Sequence, residues 1–211
     1  PCASEIDDAQ QKCRGSEKAT AKTQQGKDQT VRDCSNAPEC EQAMACILVP
    51  KNKDKEMCCF PNNTGHHLIE DHWIWDDKKA GKLMPDFEHL AEKKGSLFKK
   101  PGGPYNGAPT MCVNVSRYDG RHGIAHGTGG VVEDTLIGKD FNYGQGKAIA
   151  LTVHSDANPE SNCKDECLES QLDAFYGDDP DKKFKTPHAR QPLNDEQRAA
   201  ARDRFNLPSL D

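Results

Sequence analysis

The sequence predicts an α+β domain with a small core, mostly helical and loop-rich surroundings, and reinforcement by cysteines. Three observations carry that prediction. Residues 110–116 (TMCVNVS) alternate apolar and polar side chains, the period of a half-buried strand. Residues 163–176 (CKDECLESQLDAFY) put Cys163, Cys167, Leu168, Leu172 and Phe175 on one helical face. Only 34% of the 211 residues are hydrophobic and 6% aromatic, against ten cysteines, 17 glycines and 13 prolines. A core that small needs a second source of stability, from disulfides or bound metal.

The elements follow in order. Residues 1–33 are polar, with Ile6, Ala9 and Cys13 forming a weak helical stripe, and residues 15–30 lack a core face and read as a solvated helix or loop. Glu39 to Leu48 reads as a helix stopped by Pro50, with Cys40 and the apolar run from Ala43 on its buried side. Residues 51–56 (KNKDKE) are a charged loop. The turn formers Pro61-Asn62-Asn63-Thr64 precede a short strand, Gly65 to Ile69. Trp73-Ile74-Trp75 is either core or a wall of the site. Residues 76–100 are charged, with Leu83, Phe87, Leu90, Ala91 and Phe98 at helical spacing, and residues 101–109 are a long turn. Beyond the 110–116 strand and a turn at Tyr118-Asp119-Gly120, His122 to His126 opens a helix that Gly123, Gly127, Gly129 and Gly130 weaken. Ala148 to Val153 reads as a short strand or a buried helical turn. Asn194 caps a last helix, Asp195 to Arg204.

Charge and length exclude some classes. With 28 basic and 34 acidic residues the net charge is −6, which argues against a simple nucleic-acid binder but leaves room for an enzyme with a local positive strip. No apolar run is long enough to span a bilayer. The chain starts Pro1-Cys2, without an initiator Met or a signal peptide, which predicts a piece cut from something larger. Cysteine spacing leaves disulfides, free thiols and a structural metal open. Disulfides are favoured, because domains with small cores use them, and the adjacent Cys58 and Cys59 are expected to pair elsewhere than with each other.

The chemistry gathers in two stretches, Gly65-His66-His67-Leu68-Ile69-Glu70-Asp71-His72 and Arg121-His122-Gly123-Ile124-Ala125-His126. His122 and His126 lie one helical turn apart, close enough to share a metal. His66 is the expected third ligand, and three protein ligands leave a position open for phosphate or water. In a strand His66 and His67 point to opposite faces, which suits a division of labour: His66 on the metal, His67 as general base. His72 reads as a structural or supporting residue, and Glu70 and Asp71 as groups that orient an imidazole N–H or as a solvated turn. His89, His154 and His188 read as ordinary packing or surface histidines. Lys93, Lys94, Lys99, Lys100, Arg117 and Arg121 form one basic group near the motifs, and Lys182, Lys183, Lys185 and Arg190 a second.

Taken together, Asn63-Thr64-Gly65-His66-His67-Leu68-Ile69 and Arg121-His122-Gly123-Ile124-Ala125-His126 resemble the GHH-signature nuclease toxins of the HNH/endonuclease VII superfamily. Those toxins occur as C-terminal domains of bacterial polymorphic toxins and type VI secretion effectors. The resemblance covers residues 57 to about 130. It implies a ββα-metal (His-Me finger) core and a metal-dependent endonuclease, a DNase, acting as an antibacterial toxin. It implies His66, His122 and His126 as metal ligands, His67 as the base, and Asn114 as the asparagine that holds the base. Arg121, with Arg117, Lys99 and Lys100, would grip the DNA backbone. A divalent ion (zinc, or magnesium, manganese or nickel), a cognate immunity protein and a delivery module on the parent chain are implied with it. No membrane partner is. The toxin would be secreted by a bacterial delivery system and act in the cytoplasm of the target cell. On this reading residues 1–56 form a polar, helical, cysteine-containing extension. Residues 57–211 form the nuclease domain, with its core at about 60–135 and a helical part at 160–211.

The rival reading is a non-enzymatic binding module stabilised by disulfides or by zinc whose shell cysteines complete. The missing Glu in His-x-x-x-His speaks against the H-E-x-x-H metalloproteases. The sequence does not choose the metal, nor DNA over RNA.

Overall fold

The computed structural model describes residues 2–14, 18–22, 28–91, 107–117 and 119–187, with backbone alone for 18–22 and 28–32. In chain order these hold α1 (Ala3–Lys12), β1 (Lys18–Lys22), β2 (Asp28–Asp33), α2 (Pro38–Ala45), β3 (Val49–Pro50), α3 (Asp54–Met57), β4 (Cys59–Phe60), β5 (Thr64–His67), β6 (Trp75–Asp77), β7 (Lys82–Leu83), β8 (Pro109–Val113), α4 (Gly120–Thr135), α5 (Tyr143–Ala157) and α6 (Asp165–Tyr176). The architecture is α+β, with small sheets between helices. The sheet that matters for function runs β3-β8-β5, all antiparallel. In it His66 lies opposite Met111 and His67 opposite Thr110. Every residue of the central strand β8 is buried, as its apolar face requires.

Several expected elements take another form. Residues 18–22 and 28–33 form the antiparallel pair β1–β2 instead of a helix or loop. Backbone pairing there needs no apolar face, so periodicity carried no trace of it. The helical spacing of Leu83, Phe87 and Leu90 belongs to the strand pair β6–β7 followed by a short 3-10 helix, Pro85–Leu90. Ala148 to Val153 lies inside the 15-residue helix α5, which Asn142 and Gln145 start with a reciprocal capping box. The glycine-weakened helix expected from His122 runs 16 residues as α4, held by packing against α5 and β8. Asp195 to Arg204 lies outside the described residues.

Two apolar clusters support this frame. The larger packs Trp73, Phe87, Phe141, Tyr143, Tyr176 and Phe184 beneath α4 and α5, with Trp73 meeting Phe141 edge-on at 5.1 Å and Phe87 stacked on Phe184 at 5.1 Å. The smaller gathers Ala9, Met44, Ile47 and Val49 around buried cysteines. All ten cysteines are bridged: Cys2–Cys167, Cys13–Cys40, Cys34–Cys59, Cys46–Cys163 and Cys58–Cys112. The neighbours Cys58 and Cys59 pair with different partners, as expected. Three bridges tie residues 1–56 to the rest, and each contributes about 2–5 kcal/mol to a domain with so small a core. Among the described residues no helix is long and apolar enough to cross a membrane.

Candidate active site

The site begins at Gly65. A side chain there would place its Cβ 2.2 Å from Thr110 Oγ1 and 2.8 Å from Thr110 Cβ, so only glycine lets β5 lie this close to β8. Both backbone groups of Gly65 are held by one ion pair. Its N–H donates to Asp54 Oδ2 at 3.0 Å, and Lys51 Nζ donates to its carbonyl at 2.7 Å and to Asp54 Oδ2 at 2.8 Å. Asp54 is 4% exposed, so this is a buried carboxylate with three donors, counting the longer bond from Thr64 Oγ1. Lys51 and Asp54, read from sequence as charged loop, therefore fix the strand that carries the paired histidines. Their only sequence signal is the Lys-x-x-Asp spacing.

The second half is built at the start of α4. Gly120 has φ +53°, and a Cβ there would meet Asn114 Oδ1 at 2.9 Å. Asn114, just past β8, accepts the His122 backbone N–H on Oδ1 at 3.0 Å and donates Nδ2 to the carbonyls of Ser116 and Asp119. It does for the helix start what a capping side chain does. The Asn114 carbonyl also lies 3.0 Å from His122 Nδ1, which makes that nitrogen the N–H donor and leaves Nε2 with its lone pair. The asparagine expected to hold His67 is thus turned to His122 and the loop before α4.

Strand–strand–helix order brings His66, His122 and His126 together. One ligand nitrogen of each lies within 4.8 Å of the others. Ring centroids are 4.7 Å apart for His66–His126, 4.9 Å for His122–His126 and 5.3 Å for His66–His122. His66 is 5% exposed. Burial, then its two histidine neighbours, holds it well below the usual imidazole range. Burial and His126 hold His122 down to about 4, and burial with Arg117 lowers His126. Three imidazoles held below the usual range, with a nitrogen of each within 4.8 Å of the others, suit a late first-row divalent cation. Among the described residues the other such grouping, the sulfurs of Cys34, Cys40 and Cys59, is spent in two disulfides. With every cysteine bridged, no thiolate remains for a structural zinc shell.

His67 follows in the strand, and its charged neighbours are Lys51, Asp54, Asp71 and Lys78. Burial, then Lys51, lowers it to about 4, so it is neutral near pH 7. His72 pairs with Glu133 of α4, which also accepts Trp73 Nε1 at 3.1 Å; this carboxylate ties the segment after β5 to α4. Trp73, Ile74 and Trp75 are core, at most 2% exposed. His154 is a buried structural histidine bonded to the Ala45 carbonyl at 2.7 Å.

A cleft of about 1280 Å³ opens beside His126, walled by Glu70, Arg117, Glu133 and Lys185 among others. Arg117 lines this cleft. Arg121 does not: its Nη2 pairs with Glu41 Oε1 of α2 at 3.2 Å, an oxygen that also accepts Asn62 Nδ2 at 2.7 Å. Of the second basic group, Lys185 lines the cleft with its Nζ donating to the Asp76 carbonyl, and Lys182 donates to the Tyr176 carbonyl at 2.6 Å. Lys93, Lys94, Lys99, Lys100, His188 and Arg190 lie outside the described residues.

A buried strand histidine and two helix histidines, one of which lines a charged cleft, form a candidate cation-binding group. The chain is similar to the DNase toxin Tse7 of Pseudomonas aeruginosa, at 28% identity over 178 residues, covering 77% of this chain and 42% of Tse7. The chain thus spans less than half the length of that relative. No protein family profile and no solved structure match it.

Proposed function

We propose that this chain is a metal-dependent endonuclease of the ββα-metal type that cuts DNA as an antibacterial toxin. The observation that carries the reading is the convergence of His66, His122 and His126 from β5 and α4, with His67 next in the strand. The likeness to a DNase toxin supports DNA as the substrate. His66, His122 and His126 would hold a divalent ion, zinc, nickel, manganese or magnesium. Such an ion polarises a phosphate and stabilises the leaving oxygen. The chain's own groups supply the rest. Neutral His67 takes the proton of the attacking water. Arg117 and Lys185 in the cleft hold the phosphate backbone, and the Asn114 carbonyl keeps His122 in its ligating tautomer.

Five disulfides fit a chain that passes through an oxidising compartment, which supports secretion by a delivery system before action on DNA in the target cell. A producer of such a toxin requires a cognate immunity protein, and the parent chain a delivery module.

Supercoiled plasmid incubated with the purified chain tests the reading. Nicking or degradation that stops with chelator and returns with added divalent ion is the expected result. DNA left intact across zinc, nickel, manganese and magnesium would falsify it and favour the disulfide-stabilised binding module.

A further inference from the structure

Glu70 is a carboxylate that the turn after β5 brings back to the histidine group. Past His67 the chain buries Leu68 and Ile69, 2% and 0% exposed, and so curls back until Glu70 Oε1 lies 3.9 Å from His66 Nε2. That separation is too long for a hydrogen bond. It falls within the span two donors on one cation can cover: at roughly 2.1 Å each, they sit about 3.4 Å apart at a tetrahedral angle and up to about 4.2 Å as the angle opens. The two acids beside it have other partners. Asp71 pairs with Lys78, and Glu133 accepts from His72 and Trp73. Glu70 Oε1 thus faces a neutral His66 imidazole across that gap, with the charges of His72 and Lys78 also acting on it. A half-buried carboxylate flanked by two acids and facing an imidazole calls for a cation. Glu70 and His126 both line the cleft.

We propose that Glu70 is a fourth protein ligand, giving the centre three imidazoles and one carboxylate. The proposal rests on the metal reading of the histidines but not on DNA being the substrate. Glu70 is not among the three groups within 4.8 Å of one another, so ligation involves rotation of its own flexible side chain. The carboxylate also reduces the net charge of the centre, and an incoming phosphate oxygen has to share or displace it.

The test uses metal alone, with the whole chain. Zinc binding by calorimetry and the visible spectrum of the cobalt(II) complex are compared for wild type, Glu70→Gln, Glu70→Ala and His67→Ala, with melting of the metal-free proteins as the check on folding. Both Glu70 variants are expected to fold like wild type, to bind zinc roughly tenfold or more weakly, and to shift the cobalt bands; His67→Ala keeps wild-type affinity and spectrum. Glutamine can replace a carboxylate that merely accepts a hydrogen bond but is a far poorer ligand. Wild-type affinity and spectrum in Glu70→Gln therefore overturn the proposal. If wild type binds neither zinc nor cobalt, the histidine centre itself is wrong and the proposal falls with it; if metal binding behaves as expected while plasmid stays uncut, only the nuclease reading fails.

Discussion

Asp54 Oδ2 accepts the Gly65 amide N–H at 3.0 Å while Lys51, paired to the same oxygen, takes the Gly65 carbonyl. One buried ion pair thereby sets the backbone immediately before the paired histidines. Removing Asp54 leaves Lys51 without its partner and Gly65 without an acceptor. Asp54→Ala should cost about 3 kcal/mol in urea denaturation. Gly65→Ala, which drives a methyl into Thr110, should cost about 2 kcal/mol. A loss under 0.5 kcal/mol for both would mean the clamp is incidental.

Asn114 acts on the centre through His122. Asn114→Ala removes the acceptor at the start of α4 and loosens the loop whose carbonyl orients the imidazole. Zinc affinity should fall about tenfold, the usual effect of an outer partner. Asn114→Asp keeps the acceptor and should recover most of it. Equal loss in both variants, read by calorimetry, would place the role of Asn114 elsewhere.

The two arginines are expected to separate. Arg117→Ala should weaken DNA binding and its salt dependence while leaving folding intact, because Arg117 lines the cleft. Arg121→Ala breaks the pair with Glu41 and should lower stability by about 1 kcal/mol with little change in DNA affinity. Fluorescence anisotropy with a short duplex, beside thermal melts, distinguishes them; the opposite pattern would return Arg121 to the substrate.

The sequence made the centre legible because its chemistry is written in spacing: an adjacent pair for a strand and a one-turn pair for a helix. What supports it was not legible. Lys51 and Asp54 look like solvated charge until β3, α3 and β5 are folded together. Asn114 was recognised as relevant, but its partner could not be, since the bond to His122 depends on the turn at Gly120. Arg121 looked free because Glu41 is 80 residues away. The β1–β2 pair was missed for a different reason: strands without an apolar face have no period to read.

Acid should destabilise the metal-free protein. His66, His67, His122 and His126 all have folded pKa values below the usual 6.5, with His67 and His122 near 4. The unfolded chain then binds more protons, so stability is full above about pH 6.5 and declines as pH falls toward 4. For His67 alone this amounts to about 3 kcal/mol by pH 4. His72 and Glu70 oppose: burial lowers His72 but Glu133 outweighs that and holds it up, and burial raises Glu70 to about 7, so both contributions are lost as pH rises. The net expectation is a midpoint in urea that drops between pH 6.5 and 4. A midpoint constant over that range would contradict the buried, neutral state of these histidines.

The most direct measurement combines plasmid cutting and zinc calorimetry on wild type, His67→Ala and His122→Ala. Wild type is expected to bind one zinc and cut, His67→Ala to bind zinc equally well without cutting, and His122→Ala to lose affinity for the metal. Loss of zinc binding in His67→Ala, or unchanged binding in His122→Ala, would contradict the division between metal ligand and general base on which the reading of this site depends.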